Sequence, residues 1–488
     1  MSETLTNHTF ASNVGLAQLP SSSYPTGAES DNLVARALRR LADTLGWSDE
    51  RSPFGKVIPK GARVLIKPNL VLHQNEGRSG LDCLVTHASV IRAAVEAALR
   101  TDAAEVVVGD APIQGCDFDA LVDRMGLRAW ASEQSARDPR LKGPRDFRRT
   151  TGVLVHGVRV ASENLQPIER FRLFDLGKDS VLEPISNGED RFRVAWYDHR
   201  LLAKTHYPGV HQYLVAREVV DADVILNLPK LKLHRKAGIT CALKNLIGIN
   251  GNKEYLPHHR LGGSQGGGDN YPGHSPVKRA LEYVRDRQNI TTSRAASQGL
   301  SLVAAVLART ARGLGDHFGA DGSWSGNDTV WRTCLDLNRI LLYGRSDGTM
   351  GDEIQRRVLH IADAVVAGQG NGPLAPDPLN LGLLVGGNNA AAVDWVGAQL
   401  LALDPEKVPL TRHAFDRFRW PLTNSSSRDV NVIGDLGEGA PLEIAQKVRQ
   451  PVNHPLGWRS AAAAQDRQRN QHSEEHASVG SSVSPWDA

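Results

Sequence analysis

ARVLIKPNLV, residues 62–71, sets the fold. Val64, Leu65 and Ile66 form a short unbroken apolar run, as in a parallel strand covered on both faces, and Pro68 stops it. Thr86 offers an N-cap to a helix whose apolar stripe is Val90, Ala94, Val95, Ala98 and Leu99. A second apolar strand, Glu105–Val108, follows and ends at Gly109-Asp110. Strand, helix, strand is the unit of a parallel sheet, and such sheets bind ligands beyond the carboxyl ends of their strands. Lys67, Asn69 and Asp110 are therefore placed on one rim. Asp110 also reads as an ordinary turn or cap residue.

The pattern extends outward in both directions. Residues 1–28 are polar and read as a loose arm, followed by a helix capped at Ser30 or Asp31. Residues 133–200, rich in Arg and carrying alternating segments such as 171–174 and 192–194, read as an inserted, partly antiparallel β subdomain. Asp223–Leu226, Ala364–Ala367 and Leu379–Val385 read as further strands, and 390–402 as a helix. Residues 436–488 read as a mostly disordered tail. The expected fold class is α/β: a mostly parallel, Rossmann-like sheet with helices on both faces, spanning 29–435.

Composition narrows the function classes. The chain has 488 residues, 41% hydrophobic and 23% charged, which is ordinary for a globular protein. A formal net charge of +3 argues against a general nucleic-acid coat. Cys83, Cys116, Cys241 and Cys334 are scattered, with no iron–sulfur or zinc spacing, so no iron–sulfur cluster is expected and a reducing, cytoplasmic location is. The first residues lack a signal-peptide pattern, and no apolar run approaches the roughly 20 residues of a membrane span.

Residues 224–268 carry the chemistry. They hold Lys230, Lys232, Arg235, Lys236, Lys244, Lys253 and Arg260 with His234, His258 and His259, and a single acid, Glu254. Lys230 and Lys232 alternate with leucines, which puts both on one face of an extended segment. A helix beginning near 239 would present free N–H groups to an anion, and glycines 262, 263 and 266–268 would form an anion nest. The bland alternative is a basic surface loop. His258, His259 and Asp269, with His234 or Asp110, make a divalent metal possible, although adjacent histidines point apart in an extended chain. Asp328 would cap a helix on which Arg332, Asp336 and Arg339 share one face, as a site or as a surface ladder. Gly368-Gln-Gly-Asn-Gly-Pro373 is not a dinucleotide loop, because Pro373 replaces its third glycine. Tyr255 alone gives a poor platform for nucleic-acid bases, so no nucleic acid is expected.

VLIKPNLV (64–71), Thr86-His87, VVVGDAP (106–112), ADVILNLPKLKLH (222–234), GITCALKNLIGINGNK (238–253), GQGNGP (368–373) and AAAVDWVGAQLLALDPEKV (390–408) resemble, in this order, the DUF362 family. LPHHRLGGSQGGGDNYPG and NDTVWRTCLDLNR resemble a longer-chain branch without the ferredoxin-like cluster domain of other members. The resemblance implies a shared polar site of Lys67, Asn69, Asp110, Lys230, Lys232, His234, Lys244, Asn245, Asn371 and Asp394, and points to a glycan-related role such as polysaccharide biosynthesis. It implies no settled reaction.

The expectation is an enzyme acting on a small phosphorylated or carboxylated molecule. Lys232, His234, His258, His259 and Asp110 would carry the chemistry, and Lys67, Asn69, Lys230, Lys244, Asn245, Arg260 and Asn371 would bind substrate. A non-catalytic anion or nucleotide sensor, or an assembly scaffold, is the alternative. Oligomeric state is not legible.

Overall fold

A computed structural model describes residues 10–25, 28–155, 158–164, 166–188 and 190–462. A ten-stranded sheet organises it. Its strands in chain order are β1 (Asn13–Gln18), β2 (Arg63–Pro68), β3 (Glu105–Asp110), β4 (Leu141–Asp146), β5 (Val224–Leu228), β6 (Lys230–His234), β7 (Gly238–Thr240), β8 (Arg357–Asn371), β9 (Ala375–Gly387) and β10 (Asn431–Gly434). The spatial order is β10-β1-β9-β8-β5-β2-β3-β4, with β6 joined to β8 and β7. The run β8-β5-β2-β3-β4 is parallel throughout.

Both faces of that run are covered, which is why its strands read as continuous apolar segments. Val64, Ile66, Val106, Val108, Val224 and Leu226 pack with the helices Ala28–Thr44 and Ala88–Leu99. Leu65, Val107 and Ile225 point the other way, into a core shared with the helices Val330–Tyr343 and Ala390–Leu400. This alternation is the two-residue period of a strand.

Pro229 interrupts what would otherwise be one strand. β5 pairs with β8 from Val224↔Arg357 to Asn227↔His360, β6 resumes on β8 in the same register with Lys230↔Asp363, and the register then shifts so that Lys232 faces Gly368. β6 therefore overshoots the carboxyl end of β2, which stops opposite Leu228. β8 and β9 form a long antiparallel hairpin, in which GQGNGP is the end of one strand and the turn rather than a loop at a strand–helix junction.

Several boundaries depart from the sequence reading. The supposed N-terminal arm contributes β1, which lies between β9 and β10 with Val14 and Leu16 buried. The partners of β1 lie hundreds of residues away, so nothing local announces it. Ser30 and Asp31 fall inside the first helix, and Asp31 pairs with Arg92 at 2.9 Å. His87, not Thr86, caps the second helix by accepting from Ser89 N. The insertion begins later than expected, because β4 pairs in parallel with β3. Its antiparallel part comprises a hairpin of Thr150–Val155 with Val158–Asn164, and a three-stranded sheet of Phe171–Asp175, Val210–Ala216 and His206–Tyr207. The C-terminal segment is ordered to residue 462: a helix spans Pro441–Lys447, and Trp458 is buried with its indole N–H on Arg235 O at 2.7 Å. Residues beyond 462 lie outside the described part.

Candidate functional site

The rim formed by β2, β3 and the β5–β6 junction gathers the predicted polar residues. Adjacent register brings Lys67 beside Asp110: Nζ lies 2.6 Å from Oδ1, with both side chains buried. The other Asp110 oxygen accepts from Leu70 N at 2.7 Å. Gly248 lies directly over this pair, since a Cβ there would fall 2.1 Å from Asp110 Oδ1. Burial raises the Asp110 carboxyl and lowers the Lys67 amine, each opposed by its partner's charge.

Amides link the pair to the next lysine. Asn245 Nδ2 donates to Asn227 Oδ1 at 2.7 Å, and its Oδ1 accepts from Asn69 Nδ2 at 3.0 Å. Asn69 Oδ1 in turn accepts from Lys232 Nζ at 3.0 Å, and Leu84 O accepts from the same amine at 2.5 Å. The Thr86 hydroxyl accepts from Asn69 N and donates to Leu228 O, which ties the ends of β2 and β5 together.

Lys230 and Lys232 are both fully buried, yet their surroundings differ. Lys230 Nζ lies 2.6 Å from Asp363 Oδ2. Asp363 also accepts from Tyr24 OH and from His87 N, and Tyr24 stacks on His87 with centroids 3.7 Å apart. Lys232 has hydrogen bonds but no carboxylate partner among the described residues. Burial, and next the charge of Lys230, bring its amine down to about 7. Lys244 is also buried and makes neither hydrogen bond nor ion pair with the described residues. Burial lowers its amine too, and Lys236 and Lys67 are close enough to add to this.

Two histidines share the field of these lysines. His234 Nδ1 accepts from Lys236 N and Ala237 N at 3.0 and 3.1 Å, so its proton sits on Nε2. His258 Nδ1 is 2.7 Å from Leu256 O and must donate, so its Nε2 is a bare acceptor. Burial and then Lys244 hold both rings well below the usual range, hence neutral. One therefore presents a donor and the other an acceptor.

The remaining predicted residues lie elsewhere. His259 turns towards Lys236, Asp321 and Gly322, and its Nδ1 is buried without a partner among the described residues. Arg260 pairs with Asp269 and Asp328 at 3.7 and 3.4 Å. Asn371 is exposed at the tip of the β8–β9 hairpin, and its neighbour Gly372 lies against the end of β6, accepting from Arg235 N at 2.9 Å. The expected anion nest is closed: the N–H groups of Gly266, Gly267 and Gly268 bond within their own loop, and that of Gly262 bonds Glu282 Oε1. The helix start near 242 is already occupied by the carboxyl of Asp394, which accepts from Leu243 N at 3.3 Å and which burial pushes up to about 7. Asp336 and Arg339 form a buried pair at 2.9 Å rather than a surface ladder. Asp336 also accepts from Tyr213 OH, which fastens the insertion to the helix Val330–Tyr343.

Metal ligation finds no support in this arrangement. Asp110 is committed to Lys67, and Asp269 accepts from Arg260 N, Asp328 N and Thr329 Oγ1. Among the described residues no three His, Cys, Asp or Glu side chains converge on one point. No helix of the described residues is long and apolar enough to cross a membrane.

Asp363, Tyr24 and Asn227 were not foreseen. For Asp363 a signal existed: a lone acid in the apolar run of β8 demands a buried partner.

Comparison with known proteins agrees with the motif reading. A thylakoid-associated protein of Synechocystis sp. is 23% identical over 391 residues, covering 80% of this chain and 75% of that protein. A solved structure from Thermotoga maritima aligns with a TM-score of 0.30 at 11% identity, covering 76% of this chain and 58% of that one. The family model described as a domain of unknown function, DUF362, matches residues 64–166 and 190–399, which include every strand end and lysine of the rim. The chain belongs to the DUF362 family.

Proposed function

We propose that this chain is an enzyme that binds a phosphorylated or carboxylated substrate over Lys232 and Lys244. One observation carries the reading: two buried lysines at a parallel-sheet rim lack any carboxylate partner among the described residues. A buried charge without a counter-charge is strongly destabilising, and a bound anion would supply it. The neighbouring lysines are satisfied by Asp110 and Asp363, so the missing charge falls on these two.

Chemistry at the bound anion would be proton transfer. An amine near 7 exchanges protons at neutral pH, which suits Lys232 to general acid or base work. His258 Nε2 is placed to accept a proton, and His234 Nε2–H to donate a hydrogen bond to an oxyanion. Four free, buried cysteines fit a reducing compartment, and the cytosol is our reading of its location. The glycan-linked substrate class rests on the family resemblance and enters as an arm of the test.

The test is a thermal-shift panel of phosphate, sugar phosphates, nucleotide sugars and small carboxylates, each with and without divalent cations. A ligand at a hundredfold its Kd stabilises by about 2.7 kcal/mol. Protection should appear with an anion at pH 6, weaken as pH rises through 7, and vanish in Lys232→Met and Lys244→Met. Protection that needs a divalent cation would restore the metal reading. Binding without turnover, unchanged in His258→Ala, would make the protein a sensor. No protection by any anion at any pH would overturn the proposal.

A further inference from the structure

The helices Pro276–Ile290 and Arg294–Gly313 follow the glycine-rich loop and pack along one another around a small core of Tyr271, Leu281, Ala304 and Ala320. Their outer surface is unusual. Of the ten exposed large hydrophobic side chains among the described residues, five lie here: Tyr283, Leu302, Val303, Val306 and Leu314. Leu302 and Val306 are 72% and 61% exposed, which is far more than a helix facing its own core would leave. Leu302, Val303, Val306 and Leu314 recur at helical spacing, so they make one stripe, extended towards the N-terminus by exposed Ala295 and Gly299.

The charges around this stripe are mostly of one sign, and Asp316, just beyond Leu314, is neutralised by Lys278 at 2.5 Å. Residues 294–313 contain no Asp or Glu, and Arg294, Arg309 and Arg312 are their only charged residues. On the neighbouring helix, Arg279, Tyr283 and Arg287 are spaced by four and all exposed, with the Arg287 guanidinium 5.1 Å from the Tyr283 ring centroid. That helix has two acids, and neither reaches the outer surface free. Glu282 turns inward to Gly262 N and Asn270 Nδ2, and Asp286 pairs with Arg193 at 3.0 Å.

We infer that this helical pair docks the protein on an anionic lipid bilayer, with the helix Arg294–Gly313 lying in the plane of the interface. An apolar stripe bordered by arginines and free of acids matches headgroup phosphates above acyl chains. At 1.5 Å per residue the helix is about 30 Å long, enough for a firm contact parallel to the surface. A second copy of the chain fits poorly, because a symmetric contact would set arginine against arginine with no carboxylate on either stripe. Glu282 and Asp286 tie the pair to the Gly262–Asn270 loop and to Arg193, so docking would bring that loop near the membrane surface.

The test is sedimentation of the full chain with vesicles of phosphatidylcholine alone and of equal parts phosphatidylcholine and phosphatidylglycerol. The protein should partition onto the mixed vesicles about tenfold better than onto neutral ones, and less so in high salt. Leu302→Gln with Val306→Gln should reduce that binding about tenfold while thermal unfolding in free solution stays unchanged. Arg309→Gln with Arg312→Gln should weaken it and flatten its salt dependence. Failure to sediment with mixed vesicles overturns the inference, as does equal binding by the wild type and the apolar double variant. A concentration-dependent dimer that the double variant dissociates, without vesicle binding, would assign the stripe to a protein interface and equally overturn it.

Discussion

Replacing Lys232 by Met should make the protein more stable at pH 6 and less stable at pH 10. Burial, and next the charge of Lys230, take the Lys232 amine from its ordinary 10.5 to about 7, with no carboxylate paired to it and Asp110 offsetting only a little. At about 1.4 kcal/mol per pH unit, that difference makes the protonated amine destabilising by about 5 kcal/mol. The sign follows from linkage: between the folded and unfolded values, the unfolded chain binds the proton that the folded one has lost, so stability rises with pH. The penalty is complete below 7, fades as pH climbs, and is gone above 10.5. Methionine removes it and keeps the side chain's length, but it gives up the hydrogen bonds to Asn69 Oδ1 and Leu84 O. Those contribute about 1 kcal/mol each. The variant should therefore gain about 3 kcal/mol at pH 6, lose about 1 at pH 10, and cross the wild type at about pH 9. Urea midpoints of both proteins at pH 6, 8 and 10 read the difference directly. A difference that does not move with pH would show that Lys232 titrates normally, and the argument from uncompensated charge would fall with it.

Asp363→Asn should destabilise by about 3–5 kcal/mol in urea unfolding, because it leaves Lys230 buried without its partner. Adding Lys230→Met should recover most of that loss, whereas additive losses would mean that the two residues do not act as a pair. At the other end of the site, Asp394→Ala should cost about 1–3 kcal/mol by orphaning Leu243 N, while Asp394→Asn keeps an acceptor and should cost less than about 1. Equal effects of the two substitutions would deny Asp394 its capping role.

The parallel sheet was legible because β2, β3 and β5 are short apolar runs that end in polar residues, and this pattern is local. The rim location followed from the same ends: Lys67 and Asp110 lie on neighbouring parallel strands whose register sets them side by side. Pairing was harder to read. Nothing near Lys230 in sequence tells it apart from Lys232, and the distinction is made by Asp363, more than a hundred residues later. β1 was missed for the same reason, since its strand character comes from partners at 383–386 and 431–434. The glycines of 262–268 misled because glycine permits both a ligand nest and a self-bonded loop, and the N–H partners that decide between them are not in the composition. Adjacent histidines in an extended segment were expected to diverge, and they do: His258 faces the lysines, and His259 faces Asp321.

The two kinds of buried lysine do different work, and the contrast gives the site its logic. Four unpaired ammonium groups at one rim would each cost several kcal/mol, more than a marginally stable fold tolerates. Asp110 and Asp363 remove that burden from Lys67 and Lys230, and the pairs become struts. Lys67–Asp110 locks β2 to β3 beneath Gly248, and Lys230–Asp363 locks β6 to β8. The struts hold Lys232 and Lys244 in place. A Cβ at Gly368 would fall 2.6 Å from that of Lys232, so the β8 backbone lies tight against the lysine stem. A lysine fixed in this way cannot swing out to water to recover its solvation, so its charge stays uncompensated until an anion arrives or the proton leaves. A pair that merely stabilised the fold would lose nothing functional if both partners became apolar. Lys230→Met with Asp363→Leu should therefore keep anion binding if the strut is only mechanical. If Lys230 also helps to set the Lys232 amine, the removal of its charge should raise that amine above 7 and carry the anion's protective effect to higher pH.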